Sequence, residues 1–283
     1  MQIFRDISSL QLSLNKLILE QKTIGLVPTM GALHNGHAAL LEASLLENDI
    51  TVCSIFVNPT QFNNDEDLNN YPRTYEEDIK FLESNGCDIV FSPSIHEMYP
   101  EPPRLKFNFG KLEQSMEGKF RPGHFNGVAI VVSKLFNIVN PKRSYFGQKD
   151  LQQFRIIKEL VRNLAFNTEL RQVPIKRDES GLAMSSRNKR LSSEGLNLAV
   201  KLNQSLMAVK KSISDNQDFE KTKILLVGDL ALEGIQVEYL EYVNADSLES
   251  VKNNSTNNSV ALCIAATVDG VRLIDNIIFE LRE

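Results

Sequence analysis

Along roughly the first 175 residues, short apolar runs alternate with longer amphipathic stretches. The runs at residues 24–27, 50–57, 88–91, 144–146 and 168–173 are three to eight residues long and rich in β-branched and aromatic side chains, which predicts strands. Between them, residues 38–47, 75–84, 128–139 and 151–164 repeat their apolar positions at helical spacing. Strands alternating with helices predict βαβ units: an α/β fold with a Rossmann-like doubly wound parallel sheet, whose ligands bind at the carboxyl ends of the strands.

After residue 175 the pattern changes. Helical periodicity at 192–214 and 219–233 gives way to β-rich runs at 236–244, 259–268 and 271–278. Asp269-Gly270, between the last two runs, is a two-residue hairpin signal, because this dipeptide tolerates the positive φ angles of a tight turn. A smaller α+β C-terminal domain with antiparallel strands is expected. The polar stretch 176–188 marks the boundary, giving domains at 1–176 and 177–283. The Asn-rich patch 253–258 reads as a surface loop, and there is no internal repeat.

Composition narrows the function classes. The chain has 283 residues, 42% of them apolar, ample for a core without staples. Lys and Arg number 31 against 36 Asp and Glu, a net charge of −5, which argues against coating nucleic acid or lying on a membrane surface. Cys53, Cys87 and Cys263 form no CxxC pair, so neither a disulfide framework nor a zinc site is indicated. The N-terminal residues lack the apolar core of a signal peptide and no stretch is long enough to span a membrane, so a cytoplasmic protein is expected.

Four clusters carry candidate chemistry. PTMGALHNGH, residues 28–37, joins a strand to a helix through glycines; a helix N-terminus is a ready anion site, and His34 and His37 flank Gly36 on that turn. FVNPTQF, residues 56–62, ends a strand with Asn58 and Gln61. SYFGQKDLQQF, residues 144–154, sets Lys149 as a phosphate-binding point charge, Asp150 as a ribose acceptor or helix cap, and Gln153 on the same helical face as Asp150. GLAMSSRNKRLS, residues 181–192, offers Ser185, Ser186 and Arg187 on a Gly-containing loop, a mobile clamp for polyphosphate. Each cluster alone also fits a plainer reading: a histidine that caps a helix, polar turn residues, a cap followed by a solvated lysine, a basic linker.

Taken in order, PTMGALHNGH, SIFVNPTQF, YPRTYEED, GHFNGVA, YFGQKDLQQ and GLAMSSRN resemble the pantoate-beta-alanine ligases across essentially the whole chain. That family is similar to class I aminoacyl-tRNA synthetases in its HxGH turn and Lys-Met-Ser-Lys-Ser loop, which correspond to residues 34–37 and 184–187. The resemblance implies two steps: pantoate attacks the α-phosphate of ATP to give pantoyl adenylate and pyrophosphate, and β-alanine then displaces AMP. It implies catalytic roles for His34, His37, Lys149 and Arg187. It implies an ATP site lined by Met30, Gly31, Ala32, Leu33, His34, Asn35, Gly36 and His37, by Gly147, Gln148, Lys149 and Asp150, and by Lys176, Met184, Ser185, Ser186 and Arg187. Gln61 and Gln153 would grip pantoate, with Asn58 supporting that pocket. Mg2+ is implied on the phosphates, held mainly by ATP rather than by protein ligands, and a homodimer is implied as the assembly. Residues 175–180, IKRDES, are more charged than the family's usual adenine-contacting segment. Three other readings compete: nucleotidyl transfer onto a phosphate ester, RNA binding by a synthetase-derived core, and a catalytically dead nucleotide sensor, against which every expected catalytic position is filled. The neutral Gln61 and Gln153 suit a hydroxy acid better than a phosphate, and the acidic balance disfavours RNA.

Overall fold

The computed structural model describes residues 1–251 and 259–281, and the Asn-rich patch 253–258 read above as a loop lies outside them. The chain divides into two compact units, Met1–Gln148 with Ile156–Pro174, and Lys149–Arg155 with Ile175–Glu283.

The first unit is built on six strands: β1 Gln2–Phe4, β2 Ile24–Thr29, β3 Ile50–Ile55, β4 Ile89–Phe91, β5 Arg143–Gly147 and β6 Glu169–Val173. They form one sheet in the order β1-β4-β3-β2-β5-β6, every neighbouring pair parallel. After β2 the chain builds outward on one side through β3 and β4, then returns to add β5 and β6 on the other. The order therefore reverses between β2 and β5, and this switch point is where open α/β sheets bind ligands. The doubly wound parallel sheet expected from the alternation is present.

The helices of this part of the chain are α1 Ile7–Leu19, α2 Asn35–Glu47, α3 Asp65–Asn69, α4 Tyr75–Ser84, α5 Ile95–Met98, α6 Met116–Phe120, α7 His124–Val139 and α8 Leu151–Asn163. Leu26, Val27, Val52, Cys53, Val90, Phe91 and Tyr145 are fully or almost fully buried, which explains why these strands read as continuous apolar runs instead of alternating ones. Pro28 interrupts no β2–β5 pairing, because that ladder ends at Leu26 opposite Ser144.

β1 and α1 were not anticipated. β1 has only three residues, too few to show a period, and it is held by long-range pairing of Gln2, Ile3 and Phe4 with Ile89, Val90 and Phe91. α1 buries only Leu10 and Leu14, a thin stripe. Helix α2 starts three residues earlier than its apolar pattern predicted, because the cap at His34 sets the boundary.

The second unit holds a three-stranded antiparallel sheet, β7 Gln236–Asn244, β8 Ser259–Val268 and β9 Val271–Glu280, in that order, with α9 Ser193–Ser214 and α10 Phe219–Leu232. Leu202, Leu206 and Val209 of α9 and Phe219 of α10 share a buried cluster with Leu240, Leu262 and Ile264 of the sheet. The β8–β9 hairpin turns on Asp269 (φ 51°) and Gly270 (φ 72°), the two positive angles that the Asp-Gly signal predicts.

Candidate active site

Thr29 ends β2 and begins the histidine turn. Its hydroxyl donates to the Ser54 carbonyl at 2.7 Å and accepts the Gly31 amide at 3.2 Å. Gly31 (φ 80°) and Ala32 (φ 50°) then reverse the chain through the left-handed region, where a residue with a Cβ is strained by about 1–2 kcal/mol. The strained segment is clamped by Asp78 of α4. This carboxylate, only 2% exposed, accepts the amides of Ala32 at 3.0 Å and Leu33 at 2.8 Å, and the Thr74 hydroxyl at 3.2 Å.

Both histidines cap α2. His34 Nδ1 accepts the Gly36 amide at 3.1 Å, and His37 Nδ1 accepts the His34 amide at 3.3 Å, with the two ring centroids 4.1 Å apart. An imidazole nitrogen that accepts carries no proton, so each neutral ring holds its hydrogen on Nε2. The capping reading and the chemical reading thus describe one geometry: the caps use Nδ1 and fix Nε2–H as the donor of each ring. A cradle of backbone amides, by contrast, is not what this turn presents. Gly31, Ala32, Leu33, His34, Gly36 and His37 all donate their amides within the protein, so the turn's chemistry toward an anion lies in its side chains. Asn35 opens α2 between the two rings and is exposed.

After β3, the residues Pro59–Gln61 form a single 3-10 turn capped by Asn58. Asn58 is 1% exposed and fully engaged. Its Nδ2 donates to Gln61 Oε1 at 3.0 Å and to the Gly127 carbonyl at 3.2 Å, while its Oδ1 accepts the hydroxyls of Tyr99 and Thr60, both at 2.9 Å. Burial pushes the Tyr99 phenol up, which keeps it a donor. Gln61 is fixed from both ends: His124 Nδ1 lies 2.8 Å from its carbonyl, and its Nε2 reaches the Met30 sulfur at 3.0 Å. Facing a carbonyl, His124 Nδ1 must carry the ring proton, which leaves Nε2 to accept from Arg121 at 3.2 Å. Gly127 is required here, because a Cβ would run into the Thr60 carbonyl and the Gln61 Cα, so α7 meets this turn backbone to backbone. The first two clusters therefore converge at the ends of β2 and β3, with Met30 touching Gln61.

Gly147 ends β5, next to β2 in the sheet, and is half-buried with Gln148. In the second unit, Lys149 Nζ stands 3.6 Å from the Asp150 carboxylate, and Gln153 sits half-buried in the first turn of α8. A short hairpin carries the serine-arginine loop: Arg177 bridges Ala183, and Met184 donates its amide to the Lys176 carbonyl at 3.0 Å. Lys176 itself is exposed. Ser185 then caps the turn Ser186–Arg190, its hydroxyl accepting the Arg187 amide at 3.3 Å. Lys149, Ser185, Asn188 and Asp275 border one cavity of about 10 Å³, so the third and fourth clusters also meet. Among the described residues, no group of three or more His, Cys, Asp and Glu side chains is placed to hold a metal ion.

Sequence reasoning gave no role to Asp78, Tyr99, His124 or Gly127. Asp78 had a detectable signal, since it lies one helical turn before Leu82 on the buried stripe of α4, where a carboxylate needs partners. Tyr99 had none.

The pantoate-beta-alanine ligase family model matches residues 2–278. The chain belongs to this family. It is 47% identical over 280 residues to the pantothenate synthetase of Bacteroides fragilis, covering 99% of both chains. Among solved structures, a pantothenate synthetase of Thermus thermophilus superposes with a TM-score of 0.89 at 37% identity, over 98% of this chain and 99% of that one. The pantoate-beta-alanine ligase of Francisella tularensis, complexed with beta-gamma ATP and beta-alanine, superposes with a TM-score of 0.82 at 38% identity, over 98% of this chain and 97% of that one. In this ligase family member, the histidine turn, the Gln61 turn and the loop from Met184 to Arg187 each rest on a dedicated set of internal hydrogen bonds.

Proposed function

We propose that this chain condenses pantoate with β-alanine to pantothenate at the expense of ATP, through a pantoyl-adenylate intermediate, with release of AMP and pyrophosphate. The observation that carries the reading, beside family membership, is the pair of imidazoles of His34 and His37, ring centroids 4.1 Å apart and each Nδ1 accepting a backbone amide, at the switch point of the sheet. In the first step a pantoate carboxylate oxygen bonds to the α-phosphorus and the bond to the β-phosphate oxygen breaks. Charge builds on the α-phosphate oxygens and on the leaving pyrophosphate. His34 and His37 donate to the former, Lys149 supplies a point charge, and Ser185, Ser186 and Arg187 hold the latter. Met30 to His37, Gly147 to Asp150, Lys176 and Met184 line the ATP site, with Asp150 on the ribose.

Gln61 and Gln153 bind pantoate, and Asn58 orients Gln61. In the second step the β-alanine amine attacks the acyl carbon, the bond to the AMP oxygen breaks, and the amine proton is lost to solvent. Mg2+ bound together with ATP would supply charge neutralisation at the phosphates, beside Lys149 and Arg187. Residues 1–176 serve as the nucleotide- and pantoate-binding domain and 177–283 as the lid. No helix among the described residues is long and apolar enough to cross a membrane, and all three cysteines are buried thiols, which suits a reducing cytoplasm. The working assembly is a homodimer.

The test is an assay of AMP and pantothenate formation with each substrate omitted in turn. Pyrophosphate release with pantoate and ATP but without β-alanine supports the two-step scheme; release only when all three are present overturns it.

A further inference from the structure

The second unit contains a buried ionic strut that the reaction scheme above does not use. Arg177 donates to Asp275 through both arms of its guanidinium, Nη1 to Oδ2 at 2.6 Å and Nη2 to Oδ1 at 2.8 Å. The same two nitrogens also reach the carbonyls of Gly181 at 3.1 Å and Asn276 at 3.3 Å. Asp275 is 4% exposed and accepts the Asn276 amide as well, at 2.7 Å. Asn276, 2% exposed, extends the chain of contacts by donating from Nδ2 to the carbonyl of Lys149 at 2.9 Å.

The two ends of this strut are the parts of the unit assigned to phosphate. Arg177 is the residue from which the hairpin to Met184 springs, and Gly181, which it holds, closes the turn at the hairpin's tip, donating its amide to the Asp178 carbonyl at 3.0 Å with φ 92°. Beyond Met184 come Ser185, Ser186 and Arg187. At the other end stands the backbone of Lys149. Strand β9 supplies both central residues, and its register against β8, Asp275 opposite Ile264 and Asn276 opposite Cys263, fixes them on a rigid sheet. A forked, charge-assisted contact is stiff in angle as well as distance, in a way that a lysine at the same position would not reproduce.

We propose that Asp275 and Asn276 are positioning residues for adenylation: they lock the Lys149 backbone and the Ser185–Arg187 loop into one frame, so that these groups meet the triphosphate in register. The proposal rests on the reading of Lys149, Ser185 and Arg187 as phosphate-binding groups. It separates position from charge, because Asp275 acts through Arg177 and Asn276 through the Lys149 carbonyl. Misplacement of phosphate-binding groups lowers the rate of the chemical step and leaves the pantoate pocket, built on Gln61 in the other unit, unaltered.

The test is pantoate-dependent exchange of labelled pyrophosphate into ATP by the full chain, with Asn276→Ala, Arg177→Lys and, as a packing control in the same sheet, Ile264→Val. Asn276→Ala removes the donor to Lys149, and Arg177→Lys keeps the charge beside Asp275 but loses the fork, so a folding failure of one leaves the other to be read. Each is expected to lower kcat of exchange by about tenfold or more with the pantoate KM within about twofold of the parent, while Ile264→Val keeps the parent kcat. Parent-like kcat in either folded strut variant, a rise confined to the pantoate KM, or an equal loss in Ile264→Val would overturn the proposal. If the parent chain itself shows no pantoate-dependent exchange, the functional reading fails instead.

Discussion

The Asp78 carboxylate holds the amide of Leu33 at 2.8 Å and, through its other oxygen, that of Ala32 at 3.0 Å, so a helix 45 residues downstream shapes the histidine turn. The turn passes through Ala32 at φ 50°, a conformation it would not keep unaided. Asp78→Asn removes the match, because an amide side chain has one acceptor and turns its NH2 toward the second backbone donor. We expect a stability loss of about 1–3 kcal/mol in urea unfolding, and a fall in adenylation kcat of about 10–100-fold from displaced histidines. A destabilised variant with parental kcat would show that the turn keeps its shape without the clamp.

His37 serves two functions that substitution can separate. As a cap it accepts the His34 amide through Nδ1, and as a donor it offers Nε2–H. His37→Ala removes both; the donor alone is worth about 10²–10³ in kcat, by comparison with other preorganised donors. His37→Asn retains a short acceptor for the cap and withdraws the donor at the Nε2 position. Stability near the parent's with kcat as low as in the alanine variant is the expected pair of results, measured by thermal unfolding and pyrophosphate exchange. Recovery of kcat in His37→Asn would assign the residue to capping alone.

Much of this architecture was legible because its causes are local. Apolar runs gave the parallel strands β2 to β5, and Asp269-Gly270 gave the last hairpin, since turn chemistry and burial act over a few residues; β6, Glu169–Val173, is half-buried and carries the weaker signal. β1 escaped because three residues gain their strand character only from β4, 87 positions away in the Gln2–Ile89 pair. At the site, His34, His37 and Gln61 were readable as residue types suited to the chemistry. Their supports were not: Asp78, Tyr99 and His124 act through contacts 41 to 63 residues distant, which a single sequence does not display. The engagement of the Gly31, Ala32 and Leu33 amides was hidden for the same reason, because Thr29 and Asp78 take donors that a strand–turn–helix pattern alone leaves open.

Alkaline pH should expose the buried tyrosine of β5. Burial first, then the Glu47 carboxylate, pushes the Tyr145 phenol up to about 12, from an ordinary value of 10; its hydroxyl donates to Glu47 at 3.0 Å and accepts from Asn48 at 2.7 Å. A raised folded-state value means that the unfolded chain releases this proton first as pH climbs. The stabilisation is complete below about pH 10 and is lost as pH rises through about 12. Urea unfolding of the parent should therefore weaken steeply across that interval, and Tyr145→Phe, less stable at neutral pH for want of its two hydrogen bonds, should show a shallower decline. Parallel pH profiles for the two proteins would remove Tyr145 from the explanation.

The Tyr99–Asn58–Gln61 chain yields the sharpest separation between the two substrates. Tyr99 donates to Asn58 Oδ1 at 2.9 Å and the Gly127 carbonyl accepts from Asn58 Nδ2 at 3.2 Å, and together they fix which end of the Asn58 amide faces Gln61: the NH2, at 3.0 Å from Gln61 Oε1. With Oε1 held by that donor, Gln61 is set to present its own NH2, which lies beside Met30. Tyr99→Phe leaves the buried Asn58 oxygen with only Thr60, at a cost of about 1–3 kcal/mol, and loosens the Asn58 amide, whose orientation the Gly127 carbonyl still sets. A loosened Asn58 holds Gln61 Oε1 less firmly, so the Gln61 NH2 meets pantoate out of register. The expected result is a pantoate KM raised about tenfold with the ATP KM unchanged, and weaker rejection of analogues that lack the hydroxyl. Gln61→Ala should raise the pantoate KM at least as far, and adding Tyr99→Phe to it should change that KM no further, because the tyrosine acts only through the glutamine. Additive effects in the double variant would show that Tyr99 reaches the pocket by another route.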